Sequence, residues 1–335
     1  MAATALLLLV MVYLFLNVHH TVGQVGVCYG NVADNLPSEL DVINLYKSNG
    51  IGIMRLFNPN IAALEALQGS GIKTILGVVN GDLLGIASDP AAATQWVQTN
   101  VVPFANVIKY IAVGNEIHPD YQEAPAVLPA MQNIFNALVA NNLGGQILVS
   151  TAIDTSLLTN TYPPSASEFG NAGYITPIIN FLTTNGSPLL VNIYPYFARI
   201  SEPENIRLDY ALFTAPGPVF SDSGRDYQNL FDAIVDGVYV ALGKAGAPNV
   251  GVVVSETGWP SEGGADATVD NAEAYYRNVI GHVKQGTPFK PGQGIETYLF
   301  AMFDEDNKPG PPTEQHFGLF TPDQQPKYGP LNFNP

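Results

Sequence analysis

Two glutamates, far apart in the chain but alike in setting, are the residues best placed to do chemistry. Glu256 ends the β-branched run that starts at Val252 and is followed at once by Thr257, Gly258, Trp259 and Pro260. A carboxylate is thereby held at the tip of a buried strand, immediately before the chain turns. Glu116 closes the apolar run from Val107 in the same way, behind Gly114 and Asn115. Burying an ionised carboxylate without a partner is costly, so each needs a hydrogen-bonding or reacting neighbour. Two carboxyls facing one another among rings and amides are what glycosidic bond cleavage requires, one to protonate the leaving oxygen and one to attack the anomeric carbon. On that account Trp259 offers a face on which a sugar ring stacks. The plainer account pairs Glu256 with an arginine and puts Trp259 in the core.

Other chemistries find little support. After residue 23 the histidines are His118, His282 and His316, none in an HExxH or other ligand spacing, so no metal site is expected. His118, two residues beyond Glu116, would either pair with it or sit on a loop surface. There is no GxSxG elbow, and the one cysteine, Cys28, lies in the apolar run VGVCY without a basic partner, as a buried inert thiol would. No organic cofactor is implied either: Gly30-Asn31-Val32-Ala33 does not match the glycine-rich turn of a dinucleotide site.

The elements that must position these side chains alternate regularly. Strand-like runs cover residues 25–29, 51–57, 72–79, 107–116, 146–151, 189–194, 250–256 and 295–303. Helical patterns fall between them at 38–49, with Ser38 as N-cap, and at 61–68, 91–101, 126–141, 175–185, 227–245 and 269–285. Eight strand-like runs with helical patterns between them in about 310 residues predict an α/β fold, a closed (β/α)8 TIM barrel in one domain, over the alternative of an open doubly wound sheet. In such a barrel, chemistry collects at the C-terminal strand tips. These tips carry Tyr29, Arg55, Asn115, Glu116, Asn192, Tyr194, Tyr196, Glu256, Phe303 and Glu305. Charged residues at 202–209 and 221–226 read as a solvated loop over one cleft wall.

The segments QVGVCYG, VGNE, NIYPYF, SETGWPSEG and FAMFDEDNKPGPPTEQHFGLF occur in that order. Through them, along all of residues 24–335, the chain resembles the plant glycoside hydrolases of family 17, the β-1,3-glucanases. SETGWPS is the most specific of these segments, since Asn-Glu at a strand tip is common among barrel hydrolases. The resemblance implies a retaining mechanism and an extended cleft for a linear β-1,3-glucan, with Glu116 as acid/base and Glu256 as nucleophile. Physics agrees with that division: while Glu256 is charged, Glu116 resists ionising and stays able to donate. Retention predicts carboxyls about 5 Å apart. Around them, Asn115 is expected to reach the hydroxyl beside the reacting carbon and Tyr194 to steer the nucleophile. Tyr29, Asn192, Tyr196, Phe197, Trp259 and Phe303 are expected to line subsites. Arg55 either holds Glu256 ionised or forms an ordinary interior ion pair. The family pattern gives supporting roles to Glu305, Lys308 and Glu314, although Asp304 replaces a common Asn and Pro309–Pro312 is proline-rich. Glu305 is also the rival to Glu116 as acid. Mixed-linkage 1,3;1,4-β-glucanase activity, or a non-catalytic glucan-binding wall protein, are the other readings.

Composition sets the outer limits. The 335 residues are 47% hydrophobic and 13% charged, with net charge −16 and no Lys/Arg cluster, so neither nucleic acid nor an anionic membrane is an expected partner. A neutral polysaccharide is not repelled, and a monomer is expected. The apolar stretch 5–16 followed by Thr21-Val22-Gly23 predicts a cleaved secretory leader over residues 1–23 and no membrane anchor. The acidic charge leans towards the apoplast or cell wall over the vacuole. Asn185-Gly186-Ser187 is the one glycosylation sequon, with Pro188 directly behind it.

Overall fold

The alternation of buried runs and amphipathic helices closes on itself. The computed structural model describes residues 23–333, so the expected leader lies outside the described residues except for Gly23. Eight parallel strands form a closed barrel: β1 (Val25–Tyr29), β2 (Ile53–Leu56), β3 (Lys73–Val78), β4 (Ile108–Asn115), β5 (Leu148–Asp154), β6 (Leu189–Asn192), β7 (Val252–Thr257) and β8 (Thr297–Leu299). Each strand pairs with the next, and β8 returns to β1 through Val25↔Thr297. The expected TIM barrel is the observed fold.

Helices α1 (Glu39–Ser48), α2 (Ile61–Leu67), α3 (Leu83–Ser88), α4 (Pro90–Asn100), α5 (Ala124–Ala140) and α6 (Ala172–Asn185) follow the first five strands. After β6 come α7 (Pro195–Ser201), α8 (Leu208–Ala211) and α9 (Leu230–Lys244), and after β7 comes α10 (Val269–His282). Ser38 caps α1 as expected, its Oγ accepting the Asp41 N–H at 3.3 Å. No described helix is long and apolar enough to cross a membrane.

Strand parity decides which side chains reach the barrel interior, because successive residues face opposite sides. Cys28, Ile53, Ile75, Tyr110, Ala112, Leu190 and Val253 fill the inside, while Val27, Tyr29, Met54, Leu56 and Val254 pack outward against the helices. Residues 202–209 and 221–226 are mostly exposed and Glu202, Asn205 and Ile206 line the cleft, as expected, but neither range is plain loop. Part of the first range is α8, and Phe220–Asp222 pairs with Arg225–Tyr227 as a hairpin. Phe220 stacks on Tyr227 at 5.0 Å, and Asp222 accepts the N–H and hydroxyl of Ser165, each at 2.7 Å. That hairpin also delays α9: the helix expected from Tyr227 starts at Leu230, behind Asn229, whose side chain accepts the Asp232 N–H at 2.8 Å.

A phenol helps to tie the turn after Glu256 to the barrel. Tyr276, buried on α10, has its hydroxyl 2.8 Å from the Phe300 carbonyl and 2.9 Å from that of Phe317, and it accepts the Trp259 N–H at 3.3 Å. Replacing Tyr276 with Phe strands buried polar groups, so the unfolding free energy should fall by about 1–3 kcal/mol. Urea denaturation measures this, and an unchanged midpoint would show the hydroxyl to be idle.

Candidate active site

At the mouth of the barrel, the side chains brought together are those of the strand tips. Glu256, from β7, is 6% exposed. Its Oε1 accepts from Arg55 Nη1 at 2.9 Å, and its Oε2 accepts the Tyr194 hydroxyl at 2.7 Å. Arg55, from β2, also donates through Nη1 to the Ser255 carbonyl at 2.9 Å and to Asn192 Oδ1 at 3.0 Å, and through Nη2 to Asn115 Oδ1 at 2.7 Å. Asn192, from β6, turns its Nδ2 to Glu116 Oε1 at 2.7 Å and to Asn115 Oδ1 at 3.1 Å. Two carboxyls, two amides, a phenol and a guanidinium thus form one hydrogen-bonded group.

Both glutamates reach this group where their strands are irregular. Between β4 and β5 the pairing moves from Ala112↔Ser150 to Asn115↔Ala152, and between β7 and β6 from Val254↔Val191 to Glu256↔Asn192. Each glutamate-bearing strand therefore holds one more residue than its partner, a bulge that re-aims the side chains beyond it. Val253 and Ser255 face inward, so strict alternation would send Glu256 outward; the extra residue turns it into the mouth. Beside Glu116, Gly114 and Glu116 itself have φ of 78° and 53°, left-handed values that glutamate rarely adopts.

The electrostatic settings of the two carboxyls differ. Burial, then the negative charge of Glu256, push the Glu116 carboxyl up to about 7, while the Asn192 N–H pulls the other way and Asp154 adds to the rise. Glu256 is instead salt-bridged to Arg55. Burial and the Glu256 charge raise the Tyr194 phenol well above its ordinary value, so it remains a donor.

The cleft, about 1490 Å³, continues beyond these groups. Glu305 accepts the Val32 N–H at 2.8 Å, and Lys308 Nζ lies 3.7 Å from Glu305 and 3.8 Å from Glu314. Lys308 also sits 3.7 Å above the Phe300 ring centre. Glu305, Lys308 and Glu314 all line the cleft, and burial raises the Glu314 carboxyl. Phe197 lines it too and is 37% exposed.

Four aromatics do not reach it as expected. Trp259 is fully buried against Tyr196 and Tyr275, with its indole N–H donated to the Asp266 carbonyl at 2.9 Å, so no sugar can stack on it. Tyr196 is equally buried and donates to the Ala265 carbonyl at 3.0 Å. Tyr29 and Phe303 pack edge to face with each other in the outer core. For Tyr29 the cause is parity: Cys28 points inward, so its neighbour cannot. His118 pairs not with Glu116 but with Asp154, Nε2 to Oδ2, at 2.7 Å. Phe57, Asp154, Phe300 and Phe317 also line the cleft; Phe300 and Phe317 fall within the FAMFDEDNKPGPPTEQHFGLF segment, but none of the four is given a site role by sequence reasoning. Phe57 is within reach of sequence reasoning, two residues beyond inward-facing Arg55. Phe317 lies outside the strands, so strand parity does not mark it. Among the described residues no cluster of three or more His, Cys, Asp and Glu is arranged to hold a metal ion.

Comparison with known proteins gives a consistent set of likenesses. The family model described as glycosyl hydrolases family 17 matches residues 25–333. The chain is 58% identical over 312 residues to a glucan endo-1,3-beta-glucosidase of Vitis vinifera, covering 91% of this chain and 90% of that protein. It is 53% identical over 320 residues to an acidic isoform of glucan endo-1,3-beta-glucosidase from Nicotiana tabacum, covering 93% and 88%. Among solved structures, a beta-1,3-glucanase and allergen of Cryptomeria japonica pollen superposes with a TM-score of 0.90 at 45% identity, covering 93% of this chain and 100% of that one.

If the charge of Glu256 helps to keep Glu116 protonated, removing it must lower the Glu116 titration midpoint. In Glu256→Gln, carboxyl carbon NMR of labelled glutamate should place that midpoint clearly below the value of about 7 in the native protein. An unmoved midpoint would leave burial as the whole cause.

Proposed function

The chain belongs to family 17 of the glycosyl hydrolases, and on that premise we propose that it is a glucan endo-1,3-β-glucosidase. It cleaves internal β-1,3-glucosidic bonds of linear glucans by double displacement with retention, with Glu256 as nucleophile and Glu116 as acid/base. The observation that carries the reading is the unequal state of two carboxyls in one cleft: Glu256 is paired with Arg55 and Tyr194, while Glu116 is pushed up to about 7. In the first step a Glu256 oxygen bonds to the anomeric carbon as the glycosidic C–O bond breaks, and Glu116 gives its proton to the departing sugar oxygen. In the second, Glu116 takes a proton from water as that water displaces Glu256.

The neighbours fit those steps. The Asn115 side-chain Oδ1 is taken by Arg55 and Asn192, which leaves the side-chain N–H groups for the hydroxyl beside the anomeric carbon. Tyr194 orients the nucleophile, and Asn192 holds the acid. Phe197 offers a ring to the chain of sugars, and Glu305, Lys308 and Glu314 form a charged wall of the cleft. Glu305 fits the acid's role less well than Glu116, because it is engaged by the Val32 N–H and stands beside Lys308.

Residues 24–335 form the catalytic domain in this reading. The leader over residues 1–23 sends the protein to the apoplast or wall, where it works as a monomer on wall glucan. Intact-mass spectrometry of the exported protein should give a chain that starts at Gln24, as glutamine or its pyroglutamate; a chain retaining Met1 would refute the leader.

Glu256→Gln should lower laminarin hydrolysis by at least about 10³-fold while glucan pull-down persists. Unchanged turnover would remove Glu256 from the chemistry, and turnover absent from the native protein too would favour the non-catalytic reading. Proton NMR of fresh cleavage should show the β-anomer of the new reducing end first; the α-anomer would rule out retention. Since the acid must carry its proton, the rate should fall as pH rises through about 7. Mixed-linkage glucan assayed beside laminarin separates the two specificities.

A further inference from the structure

The bent strand tip that aims Glu116 has a support outside the cleft. Between left-handed Gly114 and left-handed Glu116 lies the main chain of Asn115, and the side chain of Asn80 grips it from both sides. The Asn115 N–H donates to Asn80 Oδ1 at 2.8 Å, and Asn80 Nδ2 donates to the Asn115 carbonyl at 2.9 Å. Asn80 is itself fixed: it opens the short turn Asn80–Asp82 just beyond the end of β3, where the Asp82 N–H donates to the Val79 carbonyl at 3.0 Å. On the other side, the Glu116 N–H donates to the Ala152 carbonyl of β5 at 2.8 Å. The tip is therefore clamped between the two neighbouring strands. Asn80 is exposed, and its side-chain hydrogen bonds go to the main chain of Asn115 and to neither carboxyl of the pair.

A non-glycine residue stays left-handed only where its surroundings over-determine it. Without the Asn80 clamp, the main chain of Asn115 loses both hydrogen bonds to the turn after β3, and relaxation of this tip towards ordinary β geometry would swing the Glu116 carboxyl off its line. We propose that Asn80 is a positioning residue for proton transfer, holding Glu116 where its proton meets the glycosidic oxygen. This rests on Glu116 being the acid/base of the proposed reaction. A sugar alcohol leaves poorly without a proton, whereas a dinitrophenolate leaves unaided. A fault in acid positioning must therefore appear on glucan and vanish on the activated aryl glycoside, and a general loss of barrel order affects both alike.

The test compares kcat and KM on laminarin with the first-turnover release of dinitrophenolate from 2,4-dinitrophenyl β-laminaribioside. Glu116→Gln sets the reference: a loss of about 10³-fold on laminarin and less than about tenfold on the aryl substrate. Asn80→Ala should lose about 10- to 100-fold in kcat on laminarin, with KM within about twofold and aryl release within about threefold. Asn80→Asp, which keeps only the acceptor for the Asn115 N–H, should fall between Asn80→Ala and the native enzyme, and it carries the comparison if Asn80→Ala does not fold. Equal losses on both substrates, or no loss on laminarin, overturn the inference if Glu116→Gln has shown the selective pattern. If Glu116→Gln itself lacks that pattern, the acid/base assignment fails and the role of Asn80 fails with it.

Discussion

A guanidinium with 1% of its surface exposed holds the mouth of this barrel together. A charge so deeply buried persists only when it is paired and its donors are used. Arg55, rising from β2, finds its partners on three other strands: Asn115 on β4, Asn192 on β6, and Ser255 with Glu256 on β7. Breaking one charged contact of this kind leaves an unpaired ion in the interior, at about 3–5 kcal/mol. The stability of the fold and the geometry of the site therefore depend on the same hydrogen bonds. A barrel that lost the spacing of its catalytic tips would also lose the means of burying Arg55.

The same constraint explains the irregular strands. A regular parallel strand presents alternate residues to the inside, which would give the mouth Ser255 and withhold Glu256. By inserting a residue in β7, the chain places Ser255 and Glu256 both on the inner side, and the Ser255 Oγ then donates to Asn192 at 2.8 Å. In β4 the extra residue comes with two left-handed positions and puts Asn115 and Glu116 side by side, one reaching Arg55 and the other Asn192. Local irregularity is offset by the polar network that it completes.

That balance marks where sequence reasoning works and where it stops. The eight buried runs and seven of the helices between them were legible because hydrophobic period and turn residues are local signals, and Ser38 capped its helix as its type suggests; the short α3, α7 and α8 were not. The pair Glu116 and Glu256 was legible from residue type and position, helped by the resemblance of VGNE and SETGWPSEG to a known family. Parity could have excluded Tyr29, since Cys28 beside it is the inward residue. Trp259 was not excludable that way. Its burial depends on Tyr196, Tyr275 and the Asp266 carbonyl, which approach from three later or earlier segments. Asn80 carried no local mark, and Phe317, although inside a family-like segment, lies outside the strands, so the place of each at the site is fixed by distant contacts. The hairpin 220–227 was hidden by its charges, which bind across to Ser165 as Asp222 does or remain at the surface.

The unequal treatment of the two carboxyls comes from what each must do in the proposed cycle. Glu256 needs one charge state until it bonds to carbon, and its two oxygens are held by one cation and one phenol. Glu116 must lose and regain a proton in every turnover, so neither state can be far uphill. Burial and the Glu256 charge favour the protonated form, the Asn192 N–H favours the ionised one, and the result near 7 leaves each within reach at about 1.4 kcal/mol per pH unit. Once Glu256 is esterified by the sugar, its charge is gone, and with it one of the two leading causes of the rise. The acid then becomes a better proton acceptor at the moment when water must be deprotonated. The timing of the base is thus set by the chemistry of its partner, and no moving part of the protein is required.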